Sequence, residues 1–290
     1  KRFEEKGSGG LLKIKEGRGR KPEIPLSRIE AIIHDTLYTT PSDATHWSLR
    51  TLAKKHYVSY FFIKKVWRAH NLKPHLVKTF KLSSDPHFIE KLKDVVGLYL
   101  NPPEHAFVLS LDEKTQIQAL DRTQQSLPLS FGHRKTLTHD YKRNGTTTLF
   151  AALDILKGKV IGHCLKRHRH QEFIKFLNKI NHVVGKELEI HCIVDNYATH
   201  KHPRVKEWLN RHQRFHFHFI PTSSSWLNLV ERWFGEITRK RIRRGSFQSV
   251  KELTTAIENY IKYNNENPKP FVWTKNAEEI IEKVNLVKLI

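Results

Sequence analysis

The chain has 290 residues, with 51 Lys and Arg against 29 Asp and Glu, a formal net charge of +22 and a pI of about 10.0. That length suits about two domains of roughly 100–200 residues, and that charge calls for a polyanionic partner, nucleic acid ahead of an anionic membrane surface. No stretch approaches the ~18 consecutive apolar residues of a membrane span, and the start KRFEEKGSGG has no apolar signal core, so a soluble, intracellular protein is expected.

From the N-terminus, Gly17-Arg18-Gly19-Arg20-Lys21-Pro22 reads as a cationic ribbon in which glycine withholds helix and proline favours extended backbone. Arg18, Arg20 and Lys21 are candidates for a narrow A·T-rich minor groove; a solvated linker is the plain alternative. Three short helices follow between Leu26 and His70. Leu26, Ile29 and Ile33 make the stripe of the first. Ser48 caps a second with Leu49, Leu52 and Ala53, and Ser59 caps a third with Phe62, Ile63, Val66 and Trp67. Separated by His56-Tyr57-Val58, the last two have helix-turn-helix spacing. Tyr60, Phe61, Lys64, Lys65 and Arg68 remain for the outer face, and Ser59, Tyr60, Lys64, Lys65 and Arg68 are candidate DNA contacts. A three-helix packing unit with a wet basic face is the alternative.

Residues 71–105, with Pro74, Pro86, Pro102 and Pro103, read as a connector holding one amphipathic helix near Phe88 to Leu100. Then come a buried strand at Phe107 to Asp112, a hairpin of Thr146–Ile155 and Lys159–Leu165 around Leu156-Lys157-Gly158, and a helix from Gln171 to Val184. A strand at Glu189 to Asp195, a helix at Val205 to Arg211, a strand at Phe215 to Ile220 and a helix at Trp226 to Arg241 complete the pattern. The fold class is therefore α/β, a mixed-sheet domain preceded by an all-α helix-turn-helix domain. Boundaries are expected at 1–22 for the remnant and linker, 23–78 for the helix-turn-helix, 79–105 for the connector, 106–265 for the mixed sheet and 266–290 for a tail packed on or beside it. Cys164 and Cys192 lie in strand-like runs and not in a C-x-x-C pair, so both are expected as buried free thiols. The chain has no methionine and begins at Lys1, so its N-terminus is expected to be cut.

Two acids end strand-like runs, Asp112 after FVLSL and Asp195 after IHCIV. A carboxylate at the end of a buried strand is costly unless bonded, paired or cation-bound. A third, Glu231, shares a helical stripe with Asn228, Gly235 and Thr238 while Leu227, Val230, Phe234 and Ile237 bury, and Gly235 is expected to let a backbone come close. Three carboxylates at one sheet edge suit hard divalent cations, and a pair of ions roughly 3.5–4 Å apart would serve an in-line phosphoryl displacement. No Ser-His-Asp arrangement and no G-x-x-x-x-G-K competes. Glu113 faces the opposite side of its strand, Asp154 lies by a hairpin turn and Glu236 is a step round the helix, so these read as structural or solvated.

Leu111-Asp112-Glu113-Lys114-Thr115, Val194-Asp195-Asn196-Tyr197-Ala198-Thr199-His200-Lys201 and Ser225-Trp226-Leu227-Asn228-Leu229-Val230-Glu231 together resemble the mariner-superfamily transposases of bacterial insertion sequences, the IS-six-thirty family. Thirty-five residues separate Asp195 from Glu231, the kind of spacing that family's D, D, E triad shows. The resemblance runs over nearly the whole chain, from WSLRTLAKKH to PFVWTKNAEEI. It implies a ribonuclease-H-like catalytic domain with Asp112, Asp195 and Glu231 as catalytic and metal-binding residues and Mg2+ or Mn2+, as two ions, for cofactor. It also implies excision at terminal inverted repeats, joining of 3′ ends to target DNA at TA, and double-stranded DNA and a second copy of the chain as partners, in the cytoplasm at the bacterial nucleoid. In that family two helix-turn-helix units flank a GRPR-like linker, here Gly17-Arg18-Gly19-Arg20, and Lys1 to Leu12 is expected to be the tail of the first. Tyr60-Phe61-Phe62 departs from the usual small polar start of the recognition helix, so base preference does not carry over.

Two further basic clusters are candidates. Arg167, His168 and Arg169 precede a helix whose N-terminus suits phosphate. Arg239, Arg243 and Arg244, with Lys240 and Arg241, follow Glu231 by eight to thirteen residues and are expected either to hold DNA or to complement a helix dipole. His216 and His218, alternating with Phe215, Phe217 and Phe219, read as structural. Against transposition stand a DNA-binding protein that has lost catalysis or been domesticated, and a stand-alone ribonuclease-H-like nuclease.

Overall fold

The computed structural model of the chain describes residues 3–5, 7–8, 24–77 and 81–288 and divides into two units, Lys1–Phe80 and Lys81–Ile290. Arg18, Arg20 and Lys21, with the ribbon that holds them, lie outside the described residues.

The first unit holds α1 (Leu26–Tyr38), α2 (Leu49–Lys55) and α3 (Tyr60–Ala69), the last two on the expected caps. Ser48 accepts from the Thr51 N–H at 3.1 Å while Thr51 accepts from the Ser48 N–H at 3.0 Å, and Ser59 accepts from the Phe62 N–H at 3.2 Å. Between α2 and α3 the turn passes through Tyr57 at φ 53°. The core is Ile32, Trp47, Leu52, Ala53, Ile63, Val66 and Trp67. Leu26, expected to bury, is 70% exposed: its place in the first turn carries it beyond the core, and Ile32 holds the central position instead. Polar ties fix α1 to the rest, since Trp67 donates to Thr36 at 2.9 Å, Trp47 to Thr39 at 3.1 Å, and Asp35 receives both Lys55 and His56 at 2.8 Å.

The second unit is built on a five-stranded sheet of order β3-β2-β1-β4-β5, comprising β1 (Ala106–Arg122), β2 (Tyr141–Asp154), β3 (Val160–Leu165), β4 (Glu189–Val194) and β5 (Phe215–Phe219). The first three strands are antiparallel and β1, β4 and β5 are parallel, the mixed ribonuclease-H-like arrangement. Helices α4 (Phe88–Leu100), α7 (Leu229–Ile237), α8 (Val250–Glu266) and α9 (Ala277–Lys288) pack on one face, α5 (His170–Val183) and α6 (Pro203–Arg211) on the other. The helix of the expected connector thus contributes Leu92, Val95 and Val96 to this core, and the tail docks on α4 through Ala277 and Ile280. Cys164 and Cys192 are both free, Cys192 buried and Cys164 half-buried. Among the described residues no helix is long and apolar enough to cross a membrane.

Three elements differ from expectation. β1 does not end at Asp112 but continues to Arg122, pairing with β2 as far as Tyr141 through two irregularities. The polar run Glu113 to Gln116 concealed this, because a partner strand, not apolar alternation, sustains it. The helix expected from Trp226 to Arg241 is broken into a 3-10 turn at Ser225–Leu227, an extended Asn228, α7, and a π segment at Thr238–Ile242. Nor does Gly235 admit a close backbone, for nothing lies within 4 Å of a Cβ placed there. Gly158 is the opposite case: at φ +70° in the β2–β3 hairpin, its added Cβ would stand 2.6 Å from the backbone of Lys269 and Pro270. Asp154 turns this hairpin, accepting from the N–H groups of Leu156 at 2.9 Å and Lys157 at 3.0 Å, as its structural reading required. Gly158→Ala should therefore lower the stability of the chain by about 1–3 kcal/mol in urea unfolding, whereas Gly235→Ala, in an open helical position, should raise it by about 0.5–1 kcal/mol.

Candidate active site

The register pairs Ala106 through Ser110 with Glu189 through Ile193. Two further steps along both chains set Asp112 opposite Asp195, the residue directly after β4. Here β4 stops while β1 runs on against β2, with Asp112 opposite Ala151, so the two acids meet where the sheet opens. Successive residues of a strand face opposite sides. Val108 joins the α7 side and Leu109 and Leu111 the α5 side, which puts Ser110 and Asp112 toward α7 and Glu113 toward α5.

Ser110 is the anchor for the third acid. Its hydroxyl, fully buried, accepts from the Val230 N–H at 2.9 Å and donates to the Asn228 side-chain oxygen, while the Asn228 amide donates to the Leu111 carbonyl at 2.8 Å. Tyr99 adds a third tie, its hydroxyl donating to the Leu227 carbonyl at 2.6 Å and accepting from the Leu229 N–H at 3.4 Å. Asn228 needs an extended backbone to reach β1 this way, which is why the helix begins anew at Leu229. Glu231 sits in the first turn of α7, exposed, while Leu227, Val230, Phe234 and Ile237 bury as expected.

Electrostatics join the three. Burial, followed by the negative charges of Glu113, Asp195 and Glu231, pushes the Asp112 carboxyl up to about 8. Burial works the same way on Asp195, but the hydrogen bond from His200, the Tyr197 N–H and the charges of His200 and Lys201 hold that carboxyl below the usual range. His200 is wholly buried between Asp195, 2.9 Å from Nδ1, and Glu113, 3.1 Å from Nε2. Burial opposes its charge, yet these two carboxylates keep the imidazole at about 10. Glu113 faces the α5 side, opposite to Asp112, as its strand position required, and is tied to the site through His200. Among the described residues no three His, Cys, Asp or Glu side chains form a ready-made metal cage. The Asp112 carboxyl is raised by the charges of both Asp195 and Glu231, and all three offer hard oxygen donors of the kind divalent cations take.

The remaining described candidates lie elsewhere in the second unit or in the first. Arg169 caps α5 and pairs with Glu172 at 2.9 Å, so part of its charge is already used; Arg167 is exposed, and the His168 ring lies 6.3 Å from that of Tyr197, two residues past Asp195. Arg239, Arg243 and Arg244 are exposed, but on and after the π segment rather than along a continuous α-helix. Arg244 lines a polar cavity of about 560 Å3 together with Arg122 and Lys135. In the first unit Tyr60, Phe61, Lys64, Lys65 and Arg68 form the expected outer face, and Ser59 is exposed beside them with its oxygen engaged as the cap. His216 pairs with Glu189 at 2.7 Å and His218 with Asp94 at 2.8 Å, in keeping with structural roles. Sequence reasoning gave no role to Ser110, Tyr99, Asn228 or His200. The available signals were a serine inside the apolar run FVLSL and an asparagine where WLNLV is otherwise apolar.

Residues 107–254 match the family described as DDE superfamily endonuclease. A curated relative, the "Insertion element IS630 uncharacterized 39 kDa protein" of Shigella sonnei, is 27% identical over 90 residues, 31% of this chain and 26% of that protein, so the match spans about a quarter of the relative's length. Among solved structures, the Mos1 mariner paired-end complex with Mn aligns at a TM-score of 0.56 and 15% identity, over 98% of this chain and 81% of that one. The corresponding complex with Mg aligns at 0.55 and 16%, over 98% and 83%. At these identities the likeness concerns the fold, and it agrees with the resemblance carried by the three motifs.

Two outcomes follow from the geometry. Asn228→Ala leaves buried partners on β1 unmet and should cost about 1–3 kcal/mol of stability by chemical denaturation. Asp112 is an acid whose folded pKa is raised, so its ionisation opposes folding increasingly as pH climbs from the ordinary carboxylate range through about 8. Asp112→Asn should accordingly raise the melting temperature of the metal-free chain by about 3–6 °C near pH 9 and by less near pH 5; an equal or lower value at both would contradict the burial of a repelled carboxylate.

Proposed function

The chain belongs to the DDE superfamily of endonucleases, and from this we propose that it is a transposase that cuts DNA at the ends of its element and joins the freed 3′ ends to target DNA. One observation carries the reading: Asp112 stands half-buried at the opening of the sheet, opposite Asp195 and in the field of Glu231. Such a group is stable as an anion only against a cation. Asp112, Asp195 and Glu231 are the residues that would hold Mg2+ or Mn2+. A pair of such ions supplies Lewis-acid stabilisation of the attacking and leaving oxygens in an in-line displacement at phosphorus.

The protein's own part is positioning. The latch from Ser110 to Asn228 holds Glu231 at the opening while His200 holds Asp195. The cations of α3 in the first unit suit the terminal repeats, with Tyr60 and Phe61 offering flat surfaces beside Lys64, Lys65 and Arg68. Arg18, Arg20 and Lys21 suit the minor groove. Two copies of the chain, each holding one element end, with TA as target, complete the proposal.

Incubation of the chain with Mg2+ and DNA carrying its own element's ends tests it: cleavage with joining is expected, nicking without joining would mark a nuclease, and binding alone an inactive copy. Asp112→Asn, Asp195→Asn and Glu231→Gln should each abolish cleavage with binding unchanged in a gel shift, and wild-type cleavage in any one removes that residue from the triad. Replacing Arg18, Arg20, Lys64, Lys65 and Arg68 with Ala should flatten the dependence of log affinity on log salt by about 4–5, at about 0.9 per phosphate; an unchanged slope places the footprint elsewhere. Arg243→Gln with Arg244→Gln should leave melting unchanged and lower joining several-fold, more so at higher salt. A small loss of stability with normal joining would instead assign these arginines to the helix end.

A further inference from the structure

Resting on the reading of Asp112, Asp195 and Glu231 as metal ligands, we propose that His200 and Glu113 form a buried positioning pair that fixes the Asp195 carboxylate for cation binding. The contacts to the carboxylate fall on one oxygen. His200 Nδ1 stands 2.9 Å from Asp195 Oδ1 and 3.2 Å from the Asp195 main-chain carbonyl oxygen, and the Tyr197 N–H donates to the same Oδ1 at 3.0 Å, leaving Oδ2 for the cation. His200 is itself held. Its Nε2 meets Glu113 at 3.1 Å, its ring packs 4.5 Å from that of Phe173, and its backbone N–H donates to the Tyr197 carbonyl at 3.1 Å in the turn after Asp195. Glu113 is equally fixed, with its side chain 4% exposed and its backbone N–H donating to Asp112 Oδ1 at 2.7 Å. A short chain of bonds therefore runs from Asp112 through Glu113 and His200 to Asp195, linking the two acids across the gap between β1 and β4.

Stability alone does not account for the pair. Glu113 and His200 lie on the side of the sheet filled by Phe173, Leu109 and Leu111, where apolar residues of similar volume would serve folding as well or better than two desolvated charges. What an apolar pair would not supply is a donor to Asp195. Partners of this kind, outside the ligand shell, orient a carboxylate and tune its affinity for the ion.

The experiment is Mn2+ binding to the full chain, measured by calorimetry, with DNA binding by gel shift as the control. Asn at position 200 sets an amide nitrogen near the place of Nδ1 and retains the donor to Asp195; Gln reaches the place of Nε2 and retains only the bond to Glu113. His200→Gln should weaken Mn2+ binding by about 10-fold or more and His200→Asn clearly less, although each breaks one of two buried bonds. Wild-type affinity in folded His200→Gln, or an equal loss in both variants, would overturn the proposal and leave His200 a packing element. If neither variant folds, Glu113→Gln decides: it keeps an acceptor for Nε2 without the charge, and should weaken Mn2+ binding by about 3-fold, wild-type affinity again overturning the idea. Asp195→Asn separates the two levels. Its loss of Mn2+ with normal binding in His200→Gln refutes only the positioning role, whereas retained Mn2+ in Asp195→Asn refutes the metal reading of the site and the proposal with it.

Discussion

Asp112 occupies the middle of a strand, in the interior of a sheet, beside three other carboxylates. Water would solvate such a group; protein does so only with donors or a cation. Much of the second unit can be understood as the arrangement that makes this position tolerable and useful. β4 ends one residue before Asp195, opening the sheet edge at that point. The turn that follows brings His200 back beneath it, so Asp195 has a cationic partner of its own, while among the described residues Asp112 has none. The two acids differ accordingly, one held below the usual range by its partner and one pushed above it by burial and its acidic neighbours.

The alternation of β1 distributes the consequences. Toward α7 point Val108, Ser110 and Asp112, an apolar residue, a latch and an acid. Toward α5 point Leu109, Leu111 and Glu113, two apolar residues and the partner of His200. One strand of period two thus addresses two different supports. The latch at Ser110 has a structural cost, since α7 must be interrupted at Asn228, and the interruption places Glu231 in a first turn. There the N-terminal end of the helix favours negative charge.

How much of this was legible depends on whether a signal was local. The caps at Ser48 and Ser59, the turn at Asp154 and the opposition of Asp112 to Glu113 follow from neighbours in the chain, and each stands where the residues placed it. Features set by distant partners were hidden. The continuation of β1 beyond Asp112 depends on β2, and the break before Leu229 depends on Ser110, over a hundred residues away in the chain. Leu26 failed for a related reason, because its periodicity was right but its first-turn place lay past the core. His200 stood within a recognised motif and still had no assigned role, since nothing in its own neighbourhood names Glu113 as its second partner.

The surplus of positive charge completes the picture when the acids are followed. Asp35, Asp85, Glu172, Glu189 and Glu236 are each engaged by a cation or histidine of the same unit. Among the described residues Lys64, Lys65, Arg68, Arg243 and Arg244 take part in no such pair. Exposed pairs contribute little to stability, so the pairing matters chiefly for what it removes from the outer field. With many acids answered internally, the uncompensated cations dominate the potential that an approaching polyanion meets. Within the second unit this leaves two opposite regimes, the acids Asp112, Asp195 and Glu231 at the opening of the sheet and exposed cations such as Arg243 and Arg244 beside the far end of β1. On the proposed reading, a polyanion would be drawn to those cations and repelled by the acids, so a cation held by Asp112, Asp195 and Glu231 would have to precede DNA there.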